Sequence, residues 1–256
     1  MKIFDAFVLG AIQGLTEFLP ISSSGHLLIV EKLLNVEGDL LFLNVLFHAG
    51  SLVALLILFK RMVFSIIKGF FLKDEYFRRL GWSIIGALIP TGIIGVLLEK
   101  KVESISLKGV ALFYFITAIF LFSLKYLGGI RDLKGFSFKD GFFVGIAQGM
   151  GVFPGLSRSG VTIFSGSFLG LDMDSAIRFS FLLAIPTIGG AFLFELKDII
   201  SLNQRVDWLV LLVGFVSSFF FSFLAIKLLM RSFIQKNLHW FSLYCLVLGL
   251  VLLLMP

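Results

Sequence analysis

Residues 10–25, GAIQGLTEFLPISSSG, and 145–160, GIAQGMGVFPGLSRSG, align without a gap at an offset of 135, and each cuts a polar, proline-containing break into apolar text. Such a break restricts the fold severely. A chain surrounded by lipid can leave the helix only where protein or a cavity satisfies the freed backbone groups. The copies share Gly10/Gly145, Gln13/Gln148, Gly14/Gly149, Phe18/Phe153, Ser22/Ser157, Ser24/Ser159 and Gly25/Gly160, and Pro20 and Pro154 each precede a serine cluster. Their charges differ: Glu17 and His26 belong to the first copy, Arg158 to the second. Acid, imidazole and serine in one half, with guanidinium in the other, suit a split site for a phosphorylated ligand.

The surroundings are membrane-like. Hydrophobic residues make up 58% of the chain and mean hydropathy is +1.03, beyond the roughly 45–50% of soluble domains. Six runs, 40–59, 81–98, 109–127, 178–197, 207–227 and 239–255, approach the ~20 residues needed to cross a bilayer as helix. The stretches 3–34 and 138–170 read instead as pairs of short helices around an irregular turn, re-entrant hairpins that return to their own side. Three crossings separate the two hairpins, so the halves must be inverted. The expected fold is an all-α polytopic membrane protein, one membrane domain built from a first repeat, 1–130, and a second, inverted repeat, 135–256. That arrangement puts a site near the bilayer midplane.

Bases orient it. Lys60, Arg61, Lys68, Lys73, Arg78 and Arg79 crowd a loop at 60–79, joined on that side by Lys125, Arg131, Lys134, Lys139, Arg178, Lys227, Arg231 and Lys236. Only Lys2, Lys32, Lys100, Lys101, Lys108, Lys197 and Arg205 fall on the other. The richer side is cytoplasmic by the positive-inside rule, so the first hairpin enters from outside and the site faces outward. The excess of 22 bases over 16 acids is thereby a matter of orientation, and nucleic acid is not an expected partner. The lone Cys245 excludes an internal disulfide and a cysteine metal site. The N-terminal text lacks a charged leader and runs into the Glu17 motif, so a cleaved signal peptide is not expected.

Gln13 and Glu17 are spaced i, i+4 and share a helix face before the Pro20 break. A carboxylate at that depth needs a cation, either Arg158 or a divalent ion shared with a phosphate. The run Ser22-Ser23-Ser24-Gly25-His26 opens a short helix whose free N–H groups suit an anion. His26 adds acid–base or nucleophilic capacity beyond what capping serines supply. Opposite it, Ser157, Arg158, Ser159 and Thr162 offer hydroxyls and a planar fork for phosphate oxygens. His48 reads as a packing or hydrogen-bonding residue, Glu195 and His239 as interfacial. No H-E-x-x-H pair, Walker loop or Gly-x-Ser-x-Gly elbow occurs.

The blocks QGLTEFLP at 13–20, SSSGH at 22–26 and PGLSRSGVT at 154–162 resemble those of the undecaprenyl-diphosphate phosphatases of the BacA/UppP type, across essentially the whole chain. The resemblance implies a bacterial inner-membrane hydrolase that removes the terminal phosphate of a C55 polyprenyl diphosphate, recycles the cell-wall lipid carrier and confers bacitracin resistance. It implies Glu17, Ser23, His26 and Arg158 as catalytic residues, with Ser23 and His26 sharing the roles of nucleophile and acid–base. Ser22, Ser24, Ser157, Ser159 and Thr162 would hold the diphosphate, and Gln13 with Glu17 a divalent cation, Mg²⁺ or Ca²⁺. Two positions depart from the family pattern: Gln13 stands where many members have glutamate, and Cys245 follows Tyr244 where arginine is usual. The implied partners are the polyprenyl diphosphate and the membrane, and a homodimer is left open. The rival class is a transporter or flippase of the same lipid, which needs phosphate binding but no nucleophile.

Overall fold

The computed structural model describes residues 2–34, 36, 41–72, 74–201 and 207–255. Residue 40, Lys73 and Arg205, used above for a span start and for loop charge, lie outside them. Apart from an isolated bridge between Arg131 and Leu171, the described secondary structure is helical. In chain order the helices are α1 Ile3–Phe18, α2 Ser23–Leu33, α3 Leu41–Leu72, α4 Glu75–Glu103, α5 Leu107–Ser123, α6 Phe138–Met150, α7 Arg158–Phe168, α8 Met173–Ser201, α9 Trp208–Leu229, α10 Ser232–Lys236 and α11 Phe241–Leu254.

Four helices, over Phe42–Leu72, Glu75–Val102, Met173–Glu195 and Trp208–Leu229, are long and apolar enough to span a bilayer, with shorter apolar helices at Leu107–Ser123 and Leu238–Leu254. The chain is a multi-pass membrane protein. The stretch at 60–79, read as a basic loop, is different in the structure. There α3 continues to Leu72 and α4 begins at Glu75, because Val63, Ile66 and Phe77 keep one face packed into the core while Lys60, Arg61 and Lys68 stay exposed, as long basic side chains can.

Local chemistry sets the breaks. Leu19, ahead of Pro20, is extended at φ −66°, ψ 143°, the conformation a following proline imposes, and α1 stops there. Ser137 and Asp140 cap α6 reciprocally, and Ser157 caps α7 by accepting from Gly160 N at 3.1 Å.

α1 lies along α9 and α6 along α4, while α3 packs on α8 and α9, and α5 on α11. The glycines shared by the two copies make the first two contacts. A Cβ at Gly14 would stand 2.8 Å from Ser222 N on α9, and one at Gly149 would stand 2.7 Å from Ile94 Cβ on α4. Small residues let helix backbones approach, and hydroxyls then cross the interface: Ser217 Oγ donates to Phe7 O at 2.8 Å and Thr91 Oγ1 to Gly145 O at 3.0 Å. Outside this, Arg131 ties the α5–α6 connection to the end of α7, donating to Leu169 O at 2.7 Å and pairing with Asp140 at 3.2 Å.

Candidate active site

The two breaks interlock. Gly155 N donates to Ser22 Oγ at 3.0 Å, and Ser159 Oγ donates to Leu19 O at 3.1 Å. Thr117 of α5 steadies the second turn, donating to Gly155 O at 2.8 Å and accepting from Ser157 N at 3.0 Å. Gly155 has φ +91°, a region glycine enters without steric cost. Ser22 sits at φ 67°, a sparsely populated conformation for a residue with a side chain. The interlocked turns bring the N-termini of α2 and α7 to one cavity of about 570 Å³. The first-turn N–H groups of both helices lack intrahelical acceptors, so two helix dipoles converge there on any anion.

Glu17 is the hub. Its side chain is 2% exposed and pairs through Oε1 with Arg158, whose side chain is 20% exposed. Its other oxygen, Oε2, accepts from Ser23 Oγ at 2.6 Å and from Gln13 Nε2 at 2.8 Å. Gln13 Nε2 also lies 2.9 Å from His48 Nδ1, and His48 Nδ1 is 3.6 Å from Glu17. Since the amide nitrogen can only donate, Nδ1 accepts and the His48 proton sits on Nε2, an assignment made from the hydrogen-bond partners. Gln13 Oε1 is buried without a partner.

Glu17, Ser22, Ser23, Ser24, Ser157 and Arg158 line the cavity, with His48, Thr91, Thr187, Glu99 and Glu195. Gln13, His26, Ser159 and Thr162 are not among the lining residues. Thr162 turns back to Arg158 O at 3.0 Å and to Ser180 Oγ at 2.6 Å. His26 is 7% exposed, with Nδ1 2.7 Å from Ser22 O and Nε2 2.6 Å from Tyr244 Oη, and its ring stacks on Tyr244 at 5.6 Å. Tyr114 Oη reaches Nδ1 at 3.0 Å. A proton on Nδ1 satisfies the carbonyl and leaves Nε2 to accept from Tyr244.

The expected metal site does not form. Among the described residues no three of His, Cys, Asp and Glu come together to hold an ion. Gln13 presents its amide nitrogen to Glu17, and both carboxylate oxygens are occupied by protein donors, so the Gln13–Glu17 pair is a hydrogen-bonded unit rather than the start of a Mg²⁺ or Ca²⁺ shell.

Two residues were not legible as site residues. Tyr114 and Tyr244 come from α5 and α11, with nothing nearby in sequence to mark them. Gln148 bonds Thr187 of α8 at 3.1 Å and Thr91 of α4 at 3.0 Å, much as Gln13 reaches His48 of α3. The Gln13/Gln148 match was the signal that each would tie its break to a neighbouring span, and with it that His48 and Thr187 would face the cavity. Cys245, where arginine was expected from the family pattern, is buried against Pro20 O at 4.0 Å.

Comparison with known proteins identifies the family. The family model described as bacitracin resistance protein BacA matches residues 6–251. The chain is 43% identical to an undecaprenyl-diphosphatase of Methanosphaera stadtmanae over 100% of its own length and 98% of the relative's. It is 39% identical to that of Methanobrevibacter smithii over 98% and 96%, and 40% identical to that of Thermosipho melanesiensis over 95% of each. On a match of this extent, the chain belongs to the BacA family.

Proposed function

We propose that this chain is a membrane phosphatase that hydrolyses undecaprenyl diphosphate to the monophosphate and inorganic phosphate. The observation that carries the reading is Ser23 Oγ held 2.6 Å from a Glu17 carboxylate that also binds Arg158, at the meeting point of two helix N-termini. A diphosphate entering the cavity draws the Arg158 fork onto its oxygens, where a planar guanidinium binds best. Glu17, relieved of its ion-pair partner at Oε1, accepts the Ser23 proton at Oε2 as Oγ attacks the terminal phosphorus. The phosphoanhydride bond breaks, and polyprenyl phosphate leaves with the bonding pair and takes up the proton that Glu17 received. Water then attacks the phosphoserine, its proton passes to Glu17, and as the P–Oγ bond breaks Glu17 returns that proton to Ser23 Oγ. Arg158 and the converging N–H groups stabilise the charge that builds on the phosphoryl oxygens. In this scheme Ser22, Ser24 and Ser157 hold the diphosphate. His26, Ser159 and Thr162 position the two turns.

The halves 1–130 and 135–256 are, in the same proposal, inverted repeats, each a re-entrant hairpin followed by three spans. The packing of α1 on α9 against that of α6 on α4, and the Gln13–His48 contact against the Gln148–Thr187 contact, support a pseudo-twofold relation. The cavity faces outside. Glu99 and Glu195 line it, while the bases Lys60 and Arg61 lie in the second half of α3 and Arg78 and Arg79 near the start of α4, away from the Glu99 end.

The test is phosphate release from a polyprenyl diphosphate by purified protein, with rapid quenching. Ser23→Ala is expected to lose at least ~10³-fold in turnover while still binding the lipid diphosphate, and the native chain to carry transient phosphate on Ser23. Release persisting in Ser23→Ala, or phosphate trapped on His26, contradicts the assignment.

A further inference from the structure

A second cavity, of about 510 Å³, shares no lining residue with the catalytic one. It lies between α3, the start of α4, the start of α8 and the end of α9. Phe77, on its wall, is 11 residues of α4 from Leu88, where the lining of the catalytic cavity begins, and 22 from Glu99 at the far rim of that cavity, the span from Phe77 to that rim being about 33 Å at helical rise. That is roughly the thickness of a hydrocarbon core, so the two cavities belong to opposite membrane faces.

Arg61 from α3, Arg178 from α8 and Lys227 from α9 enter this recess beside Phe59, Met62 and Ile226. Arg178 is tied to Asp174 one helical turn away. Among the described residues Arg61 and Lys227 have no carboxylate within ion-pair distance. Bases that only set membrane orientation are free to scatter over a face, as Lys68 and Arg79 do outside the recess. Three cations from three helices converging on an otherwise apolar pocket make a two-part receptor, cationic at the rim and greasy along the wall.

The geometry points to a binding site for an anionic phospholipid of the bilayer, its phosphate between Arg61 and Lys227 and an acyl chain along Phe59, Met62 and Ile226. A zwitterionic headgroup would bring its ammonium against the same cations. Free phosphate would leave the apolar wall uncovered. The site is separate from the catalytic cavity and belongs to the face where basic pockets between helices commonly recruit such lipids.

Native mass spectrometry of the detergent-purified chain with added phosphatidylglycerol or phosphatidylcholine tests this. The native protein should retain phosphatidylglycerol selectively. Each of Arg61→Gln and Lys227→Gln should lower that preference about fivefold and the pair roughly thirtyfold, with catalytic turnover in detergent kept as the check of folding. Arg61→Lys should restore most of the preference, and Lys68→Gln with Arg79→Gln should leave it intact. Equal loss in both double variants would reduce the effect to general surface charge and overturn the site. So would displacement of the lipid by millimolar inorganic phosphate. Retention of a polyprenyl monophosphate more tightly than phosphatidylglycerol, with the same dependence on Arg61 and Lys227, would refute the bilayer phospholipid as occupant.

Discussion

Breaking the Glu17–Arg158 pair from its two sides should have unequal consequences. Arg158→Gln leaves a carboxylate whose side chain is 2% exposed, with Ser23 and Gln13 as its hydrogen-bond donors. Stranding a buried charge costs about 3–5 kcal/mol. Glu17→Gln keeps a hydrogen-bonding amide in the same place and strands a guanidinium that is 20% exposed and faces a cavity able to hold water. That loss should be nearer 1–2 kcal/mol. The double variant carries neither orphan charge and should be more stable than Arg158→Gln alone, with a coupling of roughly 2–3 kcal/mol. Cys245, the only cysteine and 0% exposed, is a natural reporter, because a thiol-reactive dye labels it only when the α11 packing opens. At about 2–4 °C per kcal/mol for a chain of this size, Arg158→Gln should shift the labelling midpoint down by roughly 6–20 °C. Equal shifts for the two single variants, or a double variant no more stable than Arg158→Gln, would show that Glu17 is not held as an ion by Arg158. All three variants should lose turnover.

Other consequences follow from the packing. Gly14→Ala places a methyl 2.8 Å from Ser222 N and should cost at least ~2 kcal/mol, whereas Gly92→Ala, with nothing within 4 Å, should be neutral or stabilising by about 0.5–1 kcal/mol in the same thiol assay. Tyr244→Phe keeps the ring stacked on His26 but removes the hydroxyl at Nε2; a lost bond of ~0.5–1.5 kcal/mol predicts turnover reduced about two- to twelvefold, and a loss as complete as that of Ser23→Ala would contradict a positioning role. Ser24 is exposed at the cavity, so Ser24→Cys should react with a hydrophilic thiol reagent applied from outside and be shielded by a lipid diphosphate. Reaction only from the cytoplasm, unaffected by the lipid, would reverse the access side. Cysteines placed at Glu75 and Ser104, at opposite ends of α4, should label from opposite faces.

The helical breaks were legible because proline, glycine and serine leave the same mark in any apolar text, and the duplicated one pointed to Glu17, the first serine run and Arg158 as parts of one split site, with Arg158 or a divalent ion still open as the partner of Glu17. The continuation of α3 through the bases at 60–68 was not, since charge density marks a membrane face and not the end of a helix. The placement of His26 depended on Tyr114 and Tyr244, which are 88 and 218 residues away, and no local pattern carries such partners. The metal expectation failed on the same ground: the i, i+4 spacing of Gln13 and Glu17 indicates a shared face, but not that the amide nitrogen and Arg158 would fill the carboxylate's coordination.

The distance between Glu17 and its guanidinium along the chain, 141 residues, has a consequence in time. A ribosome adding about 5–20 residues per second needs roughly 7–28 s to reach Arg158 after Glu17 has been made. Throughout that interval the first hairpin has its acid without the cation, and the Ser22 hydroxyl without Gly155. Lipid cannot stand in for either. The nascent first half therefore has to wait against water or the insertion machinery, and the arrival of the second turn is the event that releases it into the bilayer.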